Sequence, residues 1–136
     1  MKPEGQFALV CSPVYTRILV GTDGSATAAI AVDRAVEVAA ATGAKLTVLS
    51  VDNEARGRRV VEAEVERHRD AGVEITPHVE AGDPASAVSR STEAGGYDLL
   101  VVGNKGMTGA ARFFLGSVPN KVSHHSPVAL LIVRTT

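Results

Sequence analysis

Three glycines and a serine have the types and spacing to hold an anion: Gly103, Gly106, Gly116 and Ser117. They follow the apolar run Leu99-Leu100-Val101-Val102, the pattern of a buried strand. Glycine lets a backbone come close to a ligand and take up positive φ angles. A strand that runs through spaced glycines into a helix start presents free N–H groups and the positive end of a helix dipole, which favours phosphate. Ser117 can add a hydroxyl while opening that helix, and Lys105 or Arg112 could neutralise phosphate charge or simply stand solvated on the loop. The spacing matches neither G-x-x-x-x-G-K-[ST] nor G-x-G-x-x-G. The bland alternative is that these glycines serve only tight turns between a strand and a helix.

A second polar point is Asp23, just past the apolar run Ile18-Leu19-Val20. A carboxylate repels phosphate, so its chemistry suits hydroxyl or amino donors; equally, Asp-Gly-Ser is ordinary turn and helix-cap sequence. No nucleophile–base pair, carboxylate dyad or Walker-type lysine stands out. Adjacent His124 and His125 would point about 100° apart on a helix and lack a partner at ligand spacing, so no metal site is expected.

Short apolar runs alternate with helical stretches, which argues an α/β fold around a parallel sheet. Ile18–Val20, Leu46–Val51, Leu99–Val102 and Leu130–Val133 are nearly unbroken, as in strands covered on both faces. Val73–Glu80 alternates and contains Pro77, the pattern of an edge strand with Glu74, His78 and Glu80 facing water. Helices are expected from Ser25 to Thr42 with Gly43 as stop, from Glu54 to Ala71, from the Asp83-Pro84 start to Gly95-Gly96, and from Gly116-Ser117 to Pro127. Val61, Val65 and His68 form the expected inward face of the second helix. The resulting expectation is a doubly wound five-stranded parallel sheet, strand order 3-2-1-4-5, with helices on both faces. Residues 1–15 read as an irregular N-terminal arm and 16–136 as one domain. Ligands of open parallel sheets bind at carboxyl ends of strands where the winding reverses. Here the reversal falls between strands 1 and 4, so the loops with Asp23 and with Gly103 and Gly106 share one crevice.

The 136 residues suffice for a core without metal or disulfide staples, and Cys11 is the single cysteine. A net charge of −1, from 14 basic and 15 acidic residues, gives no electrostatic case for nucleic acid or an anionic membrane. No apolar stretch approaches the ~20 residues of a spanning helix, and no signal-peptide pattern opens the chain. A cytoplasmic protein is the plain expectation.

Gly103, Gly106, Gly116 and Ser117 fit G-x2-G-x9-G-[ST] residue for residue, which resembles the signature of the nucleotide-binding universal stress proteins. Arg17–Ser25 is similar to that family's first strand and aspartate turn, Gly82-Asp83-Pro84 to its third-helix start, and Gly116-Ser117-Val118 to the opening of its last helix. The resemblance implies an adenine-nucleotide-binding module of the stress response. ATP is the implied ligand, with AMP or cyclic AMP alternatives in a shared adenosine pocket and Mg²⁺ only as part of the nucleotide complex. It implies ribose or adenine contacts from Asp23, backbone contacts from Gly21 and Thr22, and an adenine-reading backbone at Val51, which spacing alone makes merely a strand residue. Gly103, Lys105, Gly106, Arg112, Gly116, Ser117 and Val118 would line the phosphates. It also implies a homodimer through the last strand, Leu130 to Val133. The competing readings are a slow ATPase or phosphotransfer protein modified at Thr108 or Ser117, and a ligand-free homodimeric scaffold. The stretch after Val51 is shorter than in many relatives, which could open one wall of an adenine pocket.

Overall fold

The computed structural model describes residues 14–104 and 128–135. At its centre is β1 (Arg17–Gly21), whose Ile18, Leu19 and Val20 are fully buried. Side chains alternate across a strand, so Ile18 and Val20 join a cluster with Val32, Ala35, Leu46, Val48 and Val61 on one face, while Leu19 joins Leu49, Val88, Leu100 and Val102 on the other. A strand apolar on both sides needs cover on both, and the chain supplies it by alternating strand and helix.

The elements run β1, α1 (Ala26–Thr42), β2 (Lys45–Val51), α2 (Glu54–Arg67), β3 (Ile75–Glu80), α3 (Pro84–Gly95), β4 (Leu99–Gly103), β5 (Ala129–Val133). The sheet is five-stranded in the order β3-β2-β1-β4-β5, with every pair parallel. This is the doubly wound order expected from the apolar runs. The expected helix from Gly116-Ser117 to Pro127 and most of the expected N-terminal arm lie outside the described residues. Among the described residues no helix is long and apolar enough to cross a membrane.

Helix boundaries follow local chemistry. Ser25 caps α1, its side chain accepting from the Ala28 N–H at 3.1 Å, and Gly43 closes it in the left-handed region. Ala28, Ala31, Val32, Ala35, Val36 and Ala39 form its buried face. Asp83 caps α3 with Pro84 in the first turn, and Gly96 ends it. The α2 helix stops at Arg67, short of the expected Ala71, because the N–H of His68 turns to the carbonyls of Glu64 and Val65 and that of Ala71 bonds His68 O. Its inward face holds Val61 and also Glu64, which is buried, while Val65 and His68 are only half-buried. Glu64 is held there by Arg67, which also lies 2.8 Å from Asp33 on α1. Burial opposes the Arg67 charge, but hydrogen bonds and attraction from Glu64 and Asp33 outweigh it and raise its pKa. His68 Nε2 stands 3.0 Å from the same Asp33 oxygen without hydrogen-bond alignment.

The β3 edge explains its proline. Glu74 and Glu80 turn their carbonyls to β2, so the odd-numbered residues, Pro77 among them, direct their backbone groups to the open side, where a missing N–H breaks no ladder. Glu74 is exposed as expected, whereas half-buried His78 and Glu80 hydrogen-bond each other at 2.7 Å.

The amino end of the β1–β4 pair is buckled by one carboxylate. Asp98 accepts from Thr16 N–H at 2.9 Å, the Thr16 hydroxyl at 3.0 Å and Arg17 N–H at 3.1 Å. Asp98→Ala removes all three hydrogen bonds and is expected to lower unfolding free energy by about 1–3 kcal/mol. Urea denaturation with an unchanged slope and a lower midpoint is the expected record; a midpoint equal to that of the parent would show that water replaces the carboxylate without loss.

Candidate functional site

At the carboxyl end of β1 the chain commits some polar groups and leaves others open. Gly21 is buried and pairs with Leu49 across β2. Thr22 is 1% exposed, donates its N–H to Leu49 O at 2.9 Å and receives the Gly24 N–H on Oγ1 at 3.1 Å. Its N–H and the acceptor side of its hydroxyl are therefore used by the fold. Asp23 is exposed and uses Oδ1 to accept from Ser25 N–H at 2.9 Å, an Asx turn. Among the described residues the second Asp23 oxygen accepts no hydrogen bond, so the turn is built by one oxygen alone. Gly24 has φ +86°, and a Cβ there would meet Val60 Cγ2 of α2 at 3.0 Å. Glycine is demanded by conformation and by the close approach of α2.

The strand register sets which residues share the rim. Val20 pairs with Val101, Gly21 with Leu49, Val51 with Glu80 and Gly103 with Val133. Continuing these pairings by two or three residues brings Val51, Asp23 and Asn104 into one row and Thr22 level with Gly103, adjacent strands being roughly 4.8 Å apart. Odd-numbered residues of β2 turn their backbone groups to β1, as Leu49 O and Lys45 N do. Val51 therefore directs its N–H and C=O over the end of β1, above Thr22 and Asp23. Asp23 and Gly103 thus stand at the carboxyl ends of the neighbouring strands β1 and β4, where the winding reverses.

Gly103 is buried at the end of β4. Its φ is not positive, and an added Cβ would meet Thr135 Cγ2 at 3.4 Å and Ala31 Cβ at 3.7 Å, ordinary contact distances. Neither conformation nor the described packing requires glycine there. Asn104 follows, donating its N–H to Val133 O at 3.0 Å and accepting on Oδ1 from Thr135 N–H at 2.9 Å and the Thr135 hydroxyl at 2.8 Å. Sequence reasoning passed over Asn104 and Thr135. The available signal was two polar residues at the ends of strands expected to be neighbours.

The α1 N-terminus opens toward this rim and carries no acidic residue in its first turn, so its dipole favours negative charge. The connection from Val51 to α2 is only Asp52 and Asn53, and Asn53 caps the helix with its side chain on Arg56 N–H at 2.9 Å. Lys105, Gly106, Arg112, Gly116, Ser117 and Val118 lie outside the described residues, as do Thr108, His124, His125 and Cys11. Among the described residues no group of three His, Cys, Asp or Glu side chains could hold a metal ion. A cleft of about 330 Å³ between α3 and β3, lined by Thr47, Thr76, His78, Glu80 and Tyr97, contains none of the rim residues named above.

The sequence matches the model of the universal stress protein family over residues 14–63 and 52–134. It is 37% identical to universal stress protein Rv1636 of Mycobacterium tuberculosis, across 90% of this chain and 98% of that one. It is 30% identical to universal stress protein YxiE of Bacillus subtilis, across 89% of this chain and all of the relative. Among solved structures, a universal stress protein in complex with cAMP superposes with a TM-score of 0.70 at 37% identity, covering 90% of this chain and 98% of that chain.

The two glycines of the rim should respond oppositely to a methyl group. Gly24→Ala is expected to cost about 1–2 kcal/mol for its left-handed backbone, with further loss from Val60. Gly103→Ala should stay within about 1 kcal/mol of the parent. Thermal melts of the two variants test this; equal losses would mean that the fold itself needs glycine at 103.

Proposed function

The chain belongs to the universal stress protein family, and on that premise we propose that it binds an adenine nucleotide in the crevice between the carboxyl ends of β1 and β4. One observation carries this reading: a buried glycine, Gly103, that neither φ nor the described packing requires sits where the winding of the sheet reverses. Close approach of a ligand to the backbone is the remaining reason for a residue without a side chain. Similarity to a universal stress protein in complex with cAMP supports the ligand class.

In this reading the open oxygen of Asp23 accepts from ribose hydroxyls or the adenine amino group, and the Thr22 carbonyl assists. The Val51 backbone, directed over β1, has the donor and acceptor that an adenine edge complements. Phosphates belong at the positive end of α1 and along the glycine loop, with Gly103, Gly106, Gly116, Ser117 and Val118 supplying backbone or hydroxyl donors and Lys105 or Arg112 supplying charge. The triphosphate and the cyclic monophosphate share the adenosine half of this site, and ATP remains the proposed cellular ligand. The activity is binding and signalling through the bound state, since Asp23 is assigned to the sugar rather than to a metal-held water. The protein acts in the cytoplasm as a stress-response module.

The proposal includes a homodimer through β5. That strand pairs with β4 on one side, and Ile132 is 42% exposed while Leu131 packs against the core. An open apolar edge is suited to pairing with a second copy. Ile132→Lys should therefore give monomer in light scattering with little change in helix content, and a dimer surviving the change would remove β5 as the interface.

Isothermal titration of nucleotide-free protein with cAMP, AMP and ATP–Mg²⁺ tests the ligand. Micromolar binding, about −8 kcal/mol, is expected, weakened about tenfold by Asp23→Ala and abolished by Gly116→Val. Absence of heat with all three would leave the protein a scaffold. Phosphate release abolished by Asp23→Ala would make it a slow ATPase instead.

A further inference from the structure

Beyond the last β4–β5 pair, Gly103 with Val133, two segments leave the sheet side by side. A strand end is ordinarily free to choose its direction, but here three hydrogen bonds among the described residues hold it. Asn104 donates its N–H to Val133 O, and its Oδ1 accepts from both the N–H and the hydroxyl of Thr135. Thr135 also presents Cγ2 beside Gly103, 3.4 Å from where a Cβ would sit. The residues are 31 apart in sequence, so this is a tertiary clasp rather than a local turn.

The register puts Asn104 in the row of Val51 and Asp23, one strand from Asp23. The clasp therefore ties the Gly103–Asn104 backbone, at the carboxyl end of β4 beside β1, to the segment that follows β5. We propose that Thr135 is a positioning residue of the nucleotide site, acting through Asn104 to fix the Gly103–Asn104 backbone and joining the crevice to β5. This inference rests on the nucleotide-binding reading. Thr135 need not touch the ligand; its contribution is the entropy of a backbone ordered before binding.

The test separates the hydroxyl from the shape. Thr135→Val keeps the backbone N–H and the branched outline but loses one bond to Asn104; Thr135→Ser keeps the hydroxyl and loses the methyl. With cAMP as probe, Thr135→Val should bind about three- to tenfold more weakly, the range for one lost hydrogen bond, and Thr135→Ser within about twofold of the parent. Amide exchange without ligand should be faster at Gly103 and Asn104 in Thr135→Val and unchanged in the β1–β2 ladder. Uniformly faster exchange would mark general destabilisation and overturn the positioning role. Binding by Thr135→Val equal to the parent's would overturn it while leaving the nucleotide reading intact. A parent protein that binds no nucleotide overturns both.

Discussion

The pairing of β1 with β4 is the constraint on which the rest depends. β1 is the strand from which the sheet grows in both directions, first outward to β2 and β3, then back to β4 and β5. Right-handed crossovers then put α1 and α2 on one face and α3 on the other, in agreement with the two core clusters that divide alternate residues of β1. Asp98 secures this pair at the amino end with three hydrogen bonds. At the carboxyl end no comparable bridge between the two strands occurs among the described residues, and the winding of the sheet reverses there. The same topological fact creates the core and the crevice.

Around that crevice, groups used by the fold and groups left over are interleaved residue by residue. Thr22 is consumed: its N–H completes the β1–β2 ladder and its hydroxyl supports the turn. Its neighbour Asp23 uses one oxygen for Ser25 and keeps the other. Gly24 is explained wholly by backbone angle and by Val60, whereas Gly103 is explained by neither. A residue type that the fold explains says nothing about ligands; a residue type that it leaves unexplained does. On that criterion Thr22 and Gly24 carry mainly structural information, while the described packing leaves Gly103 and one oxygen of Asp23 without a structural reason.

How much of this was legible in the sequence depended on the range of the forces involved. The unbroken apolar runs identified buried parallel strands, and the alternating run with Pro77 identified the β3 edge, because burial on two faces or one imposes those patterns directly. The Ser25, Asp83 and Gly43 boundaries were equally plain, since caps act within a turn of the helix. The end of α2 at Arg67 was not, because it rests on backbone turns at His68 and Ala71 that carry no glycine or proline signal, nor was the burial of Glu64, which depends on Arg67 and its ion pair with Asp33 on another helix. The Asn104–Thr135 clasp left only the faint signal of two polar residues at neighbouring strand ends: neither residue has a periodicity, and each is defined by its partner across the sheet. Topology alone placed Asp23 and Gly103 at the ends of the neighbouring strands β1 and β4, whereas the use of one Asp23 oxygen by Ser25 required coordinates.

The clasp also bears on how a small single-domain protein could make a bound nucleotide felt elsewhere. β5 lies at the far edge of the sheet from β3 and is joined to the crevice by the β4 ladder and by Asn104 with Thr135. Ordering the Gly103–Asn104 backbone and ordering the segment after β5 are one event where three hydrogen bonds hold both. Under the proposed function, thermodynamic linkage would require reciprocity: whatever steadies β5 would favour the nucleotide, and the nucleotide would steady β5 by an equal free energy. The coupling needs no large movement, only a strand end whose disorder is removed once and shared by two sites. A sheet edge that exposes Ile132 is thereby connected to the crevice through the shortest path in the fold, a single strand.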